Sequence, residues 1–405
     1  MRETRRVAIT GLGAVSSVGI GADAFAAAIR DGRDGTGEIT SFDASGFPFR
    51  IAGEVKDFVP EDILRRLRTD RWGRSGLLAA AASRLALEDS GLDPDAVSRG
   101  RSGVIMGTTS GEATVSSGLG EQWVSGRAKE FESRVVAQAP ASQISAAVST
   151  ELSLSGDTQT IPTACSASNY ALGHAFDLVR TGEADLMFAG GADAVNRFTH
   201  AGFHALGALA PDVCRPFDKD RAGIITGEGG VSLMLEPLEA AVARGARVYA
   251  EILGYGVNCD AKHMVHPDPE SISACIREAH ASAGITPDQV DYVCAHGTGT
   301  PTNDATEIQA VREVFGASPP PISSIKSMIG HTMGAASGFG AVVCCKALHD
   351  GFLPPTAHVT EVDPALGPDL DVVPGRGRAA RPRIVQNHGF AFGGNNVITI
   401  LGRPE

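Results

Sequence analysis

Three residues stand where a strand-like run gives way to a turn, and each carries a side chain able to do chemistry there. Cys165 lies in Ile161-Pro-Thr-Ala-Cys-Ser-Ala-Ser-Asn, between a strand-like run and a helical one. At a helix N-terminus the unpaired backbone N–H groups and the dipole favour a thiolate. The same N–H groups could hold the oxyanion formed on an attacked carbonyl. A buried packing cysteine is the alternative that position alone leaves open. His296 ends the apolar run Val290 to Ala295 and opens the loop His-Gly-Thr-Gly-Thr-Pro. Strand ends in α/β folds are where ligands bind, and the Thr298 and Thr300 hydroxyls could hold a polar arm. A histidine that only caps its loop is the other reading. His331 lies in Lys326-Ser-Met-Ile-Gly-His-Thr-Met-Gly. A helix dipole would keep that imidazole neutral, so that it donates to a carbonyl without charging. Lys326 could orient it or neutralise a carboxylate, or be a plain surface lysine.

Three further groups surround these. Asp304 and Glu307 sit three apart where the charge pattern predicts a helix start; they could complement the dipole there, or reach Lys326 in a salt bridge. Asn387-His-Gly-Phe-Ala-Phe-Gly-Gly-Asn-Asn396 reads as a glycine-rich hairpin, with Phe390 or Phe392 as a movable wall. The loop Gly107 to Gly111 lacks the lysine of a phosphate-cradling loop. Cys294 and His296 form a C-x-H pair with no second pair, so no metal site is expected. Seven cysteines without a C-x-x-C argue against a zinc or disulfide framework.

Short strand-like and helix-like runs alternate around these points. Arg6 to Leu12, Ser102 to Gly107 and Asp185 to Gly190 read as strands. Leu77 to Leu87 reads as a helix stopped by Ser90-Gly91, and Ala171 to Val179 as one stopped at Gly182. This rhythm predicts an α/β protein with buried sheets. An internal echo runs through it. Thr158 to Ala189 and Pro321 to Leu353 both read strand, tight turn, helix, stop, strand. Ser102 to Gly111 and Asp291 to Gly299 both read apolar strand opening into a Gly/Thr loop. Two similar halves would meet near residue 250. Gly254 to Ser271 and Val362 to Pro382 read as long loops.

Composition narrows the class. The chain has 405 residues, 43 % apolar and 20 % charged, ordinary for a globular protein and wrong for a disordered one. A net charge of −12 removes any global nucleic-acid footprint. No run of 18 apolar residues suits a membrane span, and the N-terminal apolar run is too broken by glycine for a signal peptide; a cytoplasmic protein with no membrane or nucleic-acid partner is expected.

Taken together, Cys165, His296 and His331 resemble the Cys-His-His triad of the β-ketoacyl carrier-protein synthases. The surrounding words match as well: Thr-Ala-Cys-Ser-Ala, Ala-His-Gly-Thr-Gly-Thr, Lys-Ser-Met-Ile-Gly-His, Arg-Pro-Phe-Asp-Lys-Asp-Arg from Arg215, and Phe-Gly-Gly-Asn-Asn. The resemblance spans essentially the whole chain and is to the elongating branch of fatty acid and type II polyketide synthesis. It implies a thiolase-like α/β fold of five layers, αβαβα, in two related halves, residues 1–250 with the nucleophile and 251–405 with both histidines. It implies that Cys165 takes an acyl group from a carrier-protein thioester. His296 and His331 would stabilise the enolate left by malonyl decarboxylation, and Lys326, bridged to Glu307, would hold His331. The backbone N–H groups of Cys165 and Phe392 would form the oxyanion hole, with Phe390 and Phe392 as a gate. Thr298 and Thr300 would bind phosphopantetheine. No cofactor is implied beyond that arm of the carrier protein.

Arg65, Arg66 and Arg68 form a basic patch on an acidic chain and match the family's docking helix for an acidic carrier protein. An ordinary solvated helix face is the other reading. Thr108, Ser110 and Glu112 stand where the family's acyl pocket is usually small and apolar, and Ala391 replaces a usual glycine. Both departures favour a specialised polyketide over a housekeeping fatty acid. The expected assembly is a homodimer, or a heterodimer with a homologous chain-length factor. A thiolase is disfavoured because the C-terminal turn has no second cysteine, and an initiating synthase because a histidine stands at 331. A non-catalytic chain-length-factor-like scaffold is disfavoured because Cys165, His296, His331 and Lys326 all occur together.

Overall fold

The computed structural model describes residues 4–404. Its first five core strands are β1 (Val7–Ser16), β2 (Ser102–Gly107), β3 (Thr158–Ile161), β4 (Leu186–Asp193) and β5 (Gly229–Pro237). They lie in the order β3-β2-β4-β5-β1. β2 runs parallel to β3 and β4, and the β4–β5 and β5–β1 pairs are antiparallel. The next five are β6 (Ala250–Cys259), β7 (Tyr292–Cys294), β8 (Ile322–Ser323), β9 (Ile384–Ala391) and β10 (Asn395–Gly402). Their order, β8-β7-β9-β10-β6, repeats the first with the same pattern of parallel and antiparallel pairs. The halves join where Val7, Ala8 and Ile9 pair with Ile252, Glu251 and Ala250.

Helices complete the layering. α1 (Arg74–Ser90) and α2 (Gln143–Leu152) cover the outer face of the first half. α3 (Ala167–Arg180) and α6 (Ala336–Asp350) lie in the middle and touch strands of both halves. α4 (Pro269–Ala283) packs on β6 and β10, with α5 (Pro301–Phe315) against it. The result is the five-layer thiolase-like fold. The middle position explains the composition of α6, whose residues from Ala336 to Leu348 are all buried. A helix that faces protein on every side has no polar stripe.

Close approach accounts for part of the glycine excess. A Cβ on Gly13 would fall 1.8 Å from the Ala82 carbonyl oxygen of α1, and one on Gly11 would fall 2.1 Å from that of Ala86. An alanine-rich helix therefore lies directly on a glycine-bearing strand. The same effect corrects one expectation. Gly254 to Cys259 is part of β6 and not a loop. Its glycines admit α4: a Cβ on Gly256 would stand 2.4 Å from the Cys275 carbonyl oxygen. A second correction concerns the echo. Phe352–Leu353 pairs only with Arg378–Ala379, so the counterpart of β4 in the second half is β9.

Candidate active site

Cys165 sits in a single 3-10 turn, Ala164–Ser166, that runs into α3. Ala164 before it has φ 54°, a left-handed conformation that a non-glycine residue adopts only under constraint. The second half repeats the device: His331 is followed by Met333 at φ 52° and the 3-10 turn Met333–Ala335 before α6. Two middle helices thus present two strained turns toward one cavity. That cavity is about 310 Å³, and Cys165, His296, His331, Thr298, Thr300, Phe390 and Phe392 all line it.

The two imidazoles meet edge to face, centroids 5.6 Å apart and planes at 80°. The Met333 N–H donates to His331 Nδ1 at 3.1 Å, so the ring proton is on Nε2. The His331 main chain is tied to the segment Ile225–Gly227 through its own N–H and C=O. His296 Nδ1 is buried and has no hydrogen-bond partner among the described residues. Burial holds both histidines well below the usual imidazole range, and the Lys326 charge adds to the effect. Both rings are therefore neutral hydrogen-bonding groups.

Burial also pushes the Cys165 thiol up to about 12, more than the nearby Lys326 charge lowers it. Burial therefore works against the thiolate expected at a helix N-terminus, and the resting residue is a thiol.

Lys326 and Glu307 are both buried but do not form the expected ion pair; among the described residues no contact within 4.0 Å joins them. They hold opposite sides of one residue. Glu307 accepts the N–H of His296 at 2.8 Å and of Gly297 at 2.7 Å. Lys326 donates to the His296 carbonyl oxygen. Lys326 therefore braces His296 and not His331, because the loop after β7 folds its carbonyl over the ammonium. Asp304, also buried, accepts from the Phe217 and Gly299 N–H groups.

Phe390 is buried, tilted against His296 with centroids 5.6 Å apart, whereas Phe392 is 39 % exposed and lies against Phe203 at 5.8 Å. Phe390 is thus a wall, and Phe392 is at the mouth. The Thr298 and Thr300 hydroxyls bond each other at 2.9 Å, and Thr300 also caps α5 through the Asn303 N–H.

Thr108, Ser110 and Glu112 are not among the residues that line this cavity. Their polar atoms serve the protein. The Thr108 hydroxyl and the Thr109 and Ser110 N–H groups donate to Asp193. The Ser110 hydroxyl bonds Thr199 at 2.8 Å. Glu112 accepts the Gly76 and Ser75 N–H groups at the start of α1, and burial raises its carboxyl to about 7.

Arg65, Arg66 and Arg68 are exposed, but on an irregular stretch between Pro60–Ile63 and Thr69–Arg71, not on the expected helix. The cause is Glu151, whose carboxylate accepts the N–H groups of Arg65, Arg66 and Leu67 while pairing with Arg84. That grip satisfies the backbone without a helical ladder.

Two residues with no assignment from sequence hold the site. Asp193, fully buried with its carboxyl raised to about 6 by burial, also accepts the Gly334 N–H at 2.7 Å, joining the loop after β2 to the turn after His331. Its only sequence signal was its place at the end of a buried strand. His388 pairs with Glu307 at 2.8 Å and stood unassigned within the glycine-rich hairpin word.

The family model "Beta-ketoacyl synthase, N-terminal domain" matches residues 4–241, and "Beta-ketoacyl synthase, C-terminal domain" matches 249–360. The chain is 37 % identical to a 3-oxoacyl-[acyl-carrier-protein] synthase 2 of Synechocystis sp., over 98 % of this chain and 97 % of that one. It is similar to the ishigamide ketosynthase/chain length factor structure, at 44 % identity and TM-score 0.97 over 99 % of this chain and 100 % of that one. It is also similar to a type II PKS acyl-carrier protein complex with its ketosynthase bound to the hexaketide, at 29 % identity and TM-score 0.90 over 99 % and 100 %.

Proposed function

The chain belongs to the β-ketoacyl synthase family and is a carbon–carbon bond-forming acyltransferase; from that premise we propose how its own residues divide the work. The Cys165 thiol attacks the carbonyl of an acyl carrier-protein thioester, and its proton leaves with the phosphopantetheine thiol. The Cys165 and Phe392 N–H groups face the oxyanion. Malonyl carrier protein then enters along Thr298 and Thr300, past Phe392. Its thioester oxygen takes hydrogen bonds from His331 Nε2–H and from His296. Carbon dioxide leaves, the enolate so stabilised attacks the acyl-Cys165 carbonyl, and the cysteine departs as a thiolate that regains a proton from solvent. Lys326 and Glu307 hold His296 in place throughout.

The observation that carries this reading is the pair of neutral imidazoles set 5.6 Å apart in the same cavity as Cys165, with the His331 proton held on Nε2. A charged imidazolium would bind the malonyl carboxylate and oppose its loss. Two neutral donors stabilise only the charge that develops on the thioester oxygen.

We further propose a type II polyketide substrate and a heterodimer with a chain-length factor, with an acidic carrier protein docking on Arg65, Arg66 and Arg68. Support comes from the greater identity to the ketosynthase/chain length factor structure than to the cyanobacterial 3-oxoacyl synthase. The loop after β2 supports the same reading: it is polar, and the buried Thr109 hydroxyl finds no hydrogen-bond partner among the described residues. No bound cofactor takes part.

The test is intact-protein mass spectrometry after incubation with acyl carrier proteins of several chain lengths, with and without a chain-length factor. An acyl adduct that needs Cys165 supports the reading. An adduct seen only with the partner supports the heterodimer. Efficient acylation by saturated chains without any partner would favour a fatty-acid synthase instead.

A further inference from the structure

The division of work above leaves three buried histidines, His200, His280 and His388, without a task, and one of them touches the site. His388 lies on β9, and its Nδ1 stands 2.8 Å from Glu307 Oε1. A carboxylate oxygen only accepts, so Nδ1 carries the proton. The His388 Nε2 then accepts from the Gln386 amide nitrogen at 2.5 Å. The Gln386 carbonyl oxygen accepts in turn from His280 Nε2 on α4, at 2.6 Å. Every donor in this buried row faces an acceptor. The row ends on the same carboxylate oxygen that takes the His296 N–H.

We propose that His388 is a positioning residue for His296, acting through Glu307; the inference rests on the condensation reading above. Glu307 is held by the His388 ring and by the N–H groups of His296 and Gly297. Removing the ring donor leaves a buried carboxylate one hydrogen bond short. Asn303 Nδ2 already reaches the other oxygen, Oε2, at 3.5 Å, and the cation that acts on Glu307 across the site is Lys326. A carboxylate that turns toward Lys326 pulls on the His296 N–H while Lys326 still holds the His296 C=O. Phe390 transmits the same displacement, because its ring lies 5.2 Å from His388 and 5.6 Å from His296. The row therefore affects decarboxylation, which uses His296, more than acylation of Cys165, which does not.

Two near-isosteric variants separate this role from packing. His388→Asn keeps an N–H donor at the Nδ1 position and so keeps Glu307 satisfied. His388→Gln moves its amide to the Nε2 position and forfeits the Glu307 contact. Each is compared with wild type in malonyl carrier-protein decarboxylation, in Cys165 acylation by intact mass and in melting temperature. The expected result is decarboxylation within about threefold of wild type for Asn, and a loss of about tenfold or more for Gln, the usual cost of one hydrogen bond to a buried charge. Cys165 acylation should stay within about twofold in both. Equal losses in the two variants, or acylation falling in step with decarboxylation, would overturn the proposal and leave His388 a packing residue. A wild-type protein that acylates but never decarboxylates malonyl would instead overturn the condensation reading itself.

Discussion

The ammonium of Lys326 rests on the main-chain carbonyl of His296, not on the carboxylate of Glu307. Since Glu307 takes the N–H of the same residue, His296 is held across its main chain between a cation and an anion. Lys326 also lowers the proton affinity of both imidazoles. Lys326→Met should therefore do two things: cut decarboxylation by about tenfold or more, as expected for a lost charge-assisted bond, and move the acid limb of its pH profile upward. An unchanged acid limb would show that the charge does not reach the rings.

In the wild type, both histidine pKa values lie well below the ordinary value of about 6.5, chiefly through burial. Decarboxylation should stay flat from neutral pH down through 6.5 and fall only at more acid pH. Stability follows the same sign. The unfolded histidines take up protons near 6.5 while the folded ones do not, so their contribution is complete above that pH and is lost as pH falls toward the folded values. Malonyl decarboxylation and thermal melting measured from pH 5 to 8 check both; a histidine limb centred near 6.5 would contradict the burial argument.

Cys165→Ala should abolish condensation and the acyl adduct yet retain decarboxylation, because the two histidines carry that step. Replacing His331 by Ala should lower decarboxylation and condensation together. Normal condensation by the alanine variant at 165 would remove the nucleophile assignment.

Asp193→Asn should loosen both turns at once. The carboxylate accepts the Thr108 hydroxyl and the N–H groups of Thr109, Ser110 and Gly334, and an amide nitrogen placed among these donors cannot accept. The expected loss is about 2–3 kcal/mol of stability, together with slower Cys165 acylation. Chemical denaturation beside intact-mass acylation tests it; a variant as stable as wild type would mean that the donors find water.

Charge reversal of Arg65 and Arg68 to Glu should raise the KM for carrier protein and flatten its dependence on salt, with kcat little changed. Both side chains are exposed, and Glu151 holds the backbone rather than the guanidinium groups of this stretch, so the fold should tolerate the change. A KM and salt dependence equal to wild type would send the docking surface elsewhere.

The elements were legible because their signals are local. Strand β2 and the hairpin around Gly393 and Gly394 stand where the alternating and glycine-rich runs place them, and Gly91 ends α1 at φ 65°. The misreadings have one origin. Gly254 and Gly256 look like loop residues until α4 is packed against them, and the arginines at 65, 66 and 68 look helical until Glu151 takes their backbone N–H groups.

The sequence by itself determined the chemistry at hand: a cysteine and two histidines, each at a strand-to-turn junction, within words that identify a condensing family. Only the tertiary structure decided how that chemistry is set. It raised the Cys165 thiol instead of lowering it, sent Lys326 to a carbonyl and joined Glu307 to His388. It also placed Asp193 between two turns from different halves of the chain. Residue type and near neighbours set a local conformation, whereas desolvation and the choice of hydrogen-bond partner depend on which distant segments pack together.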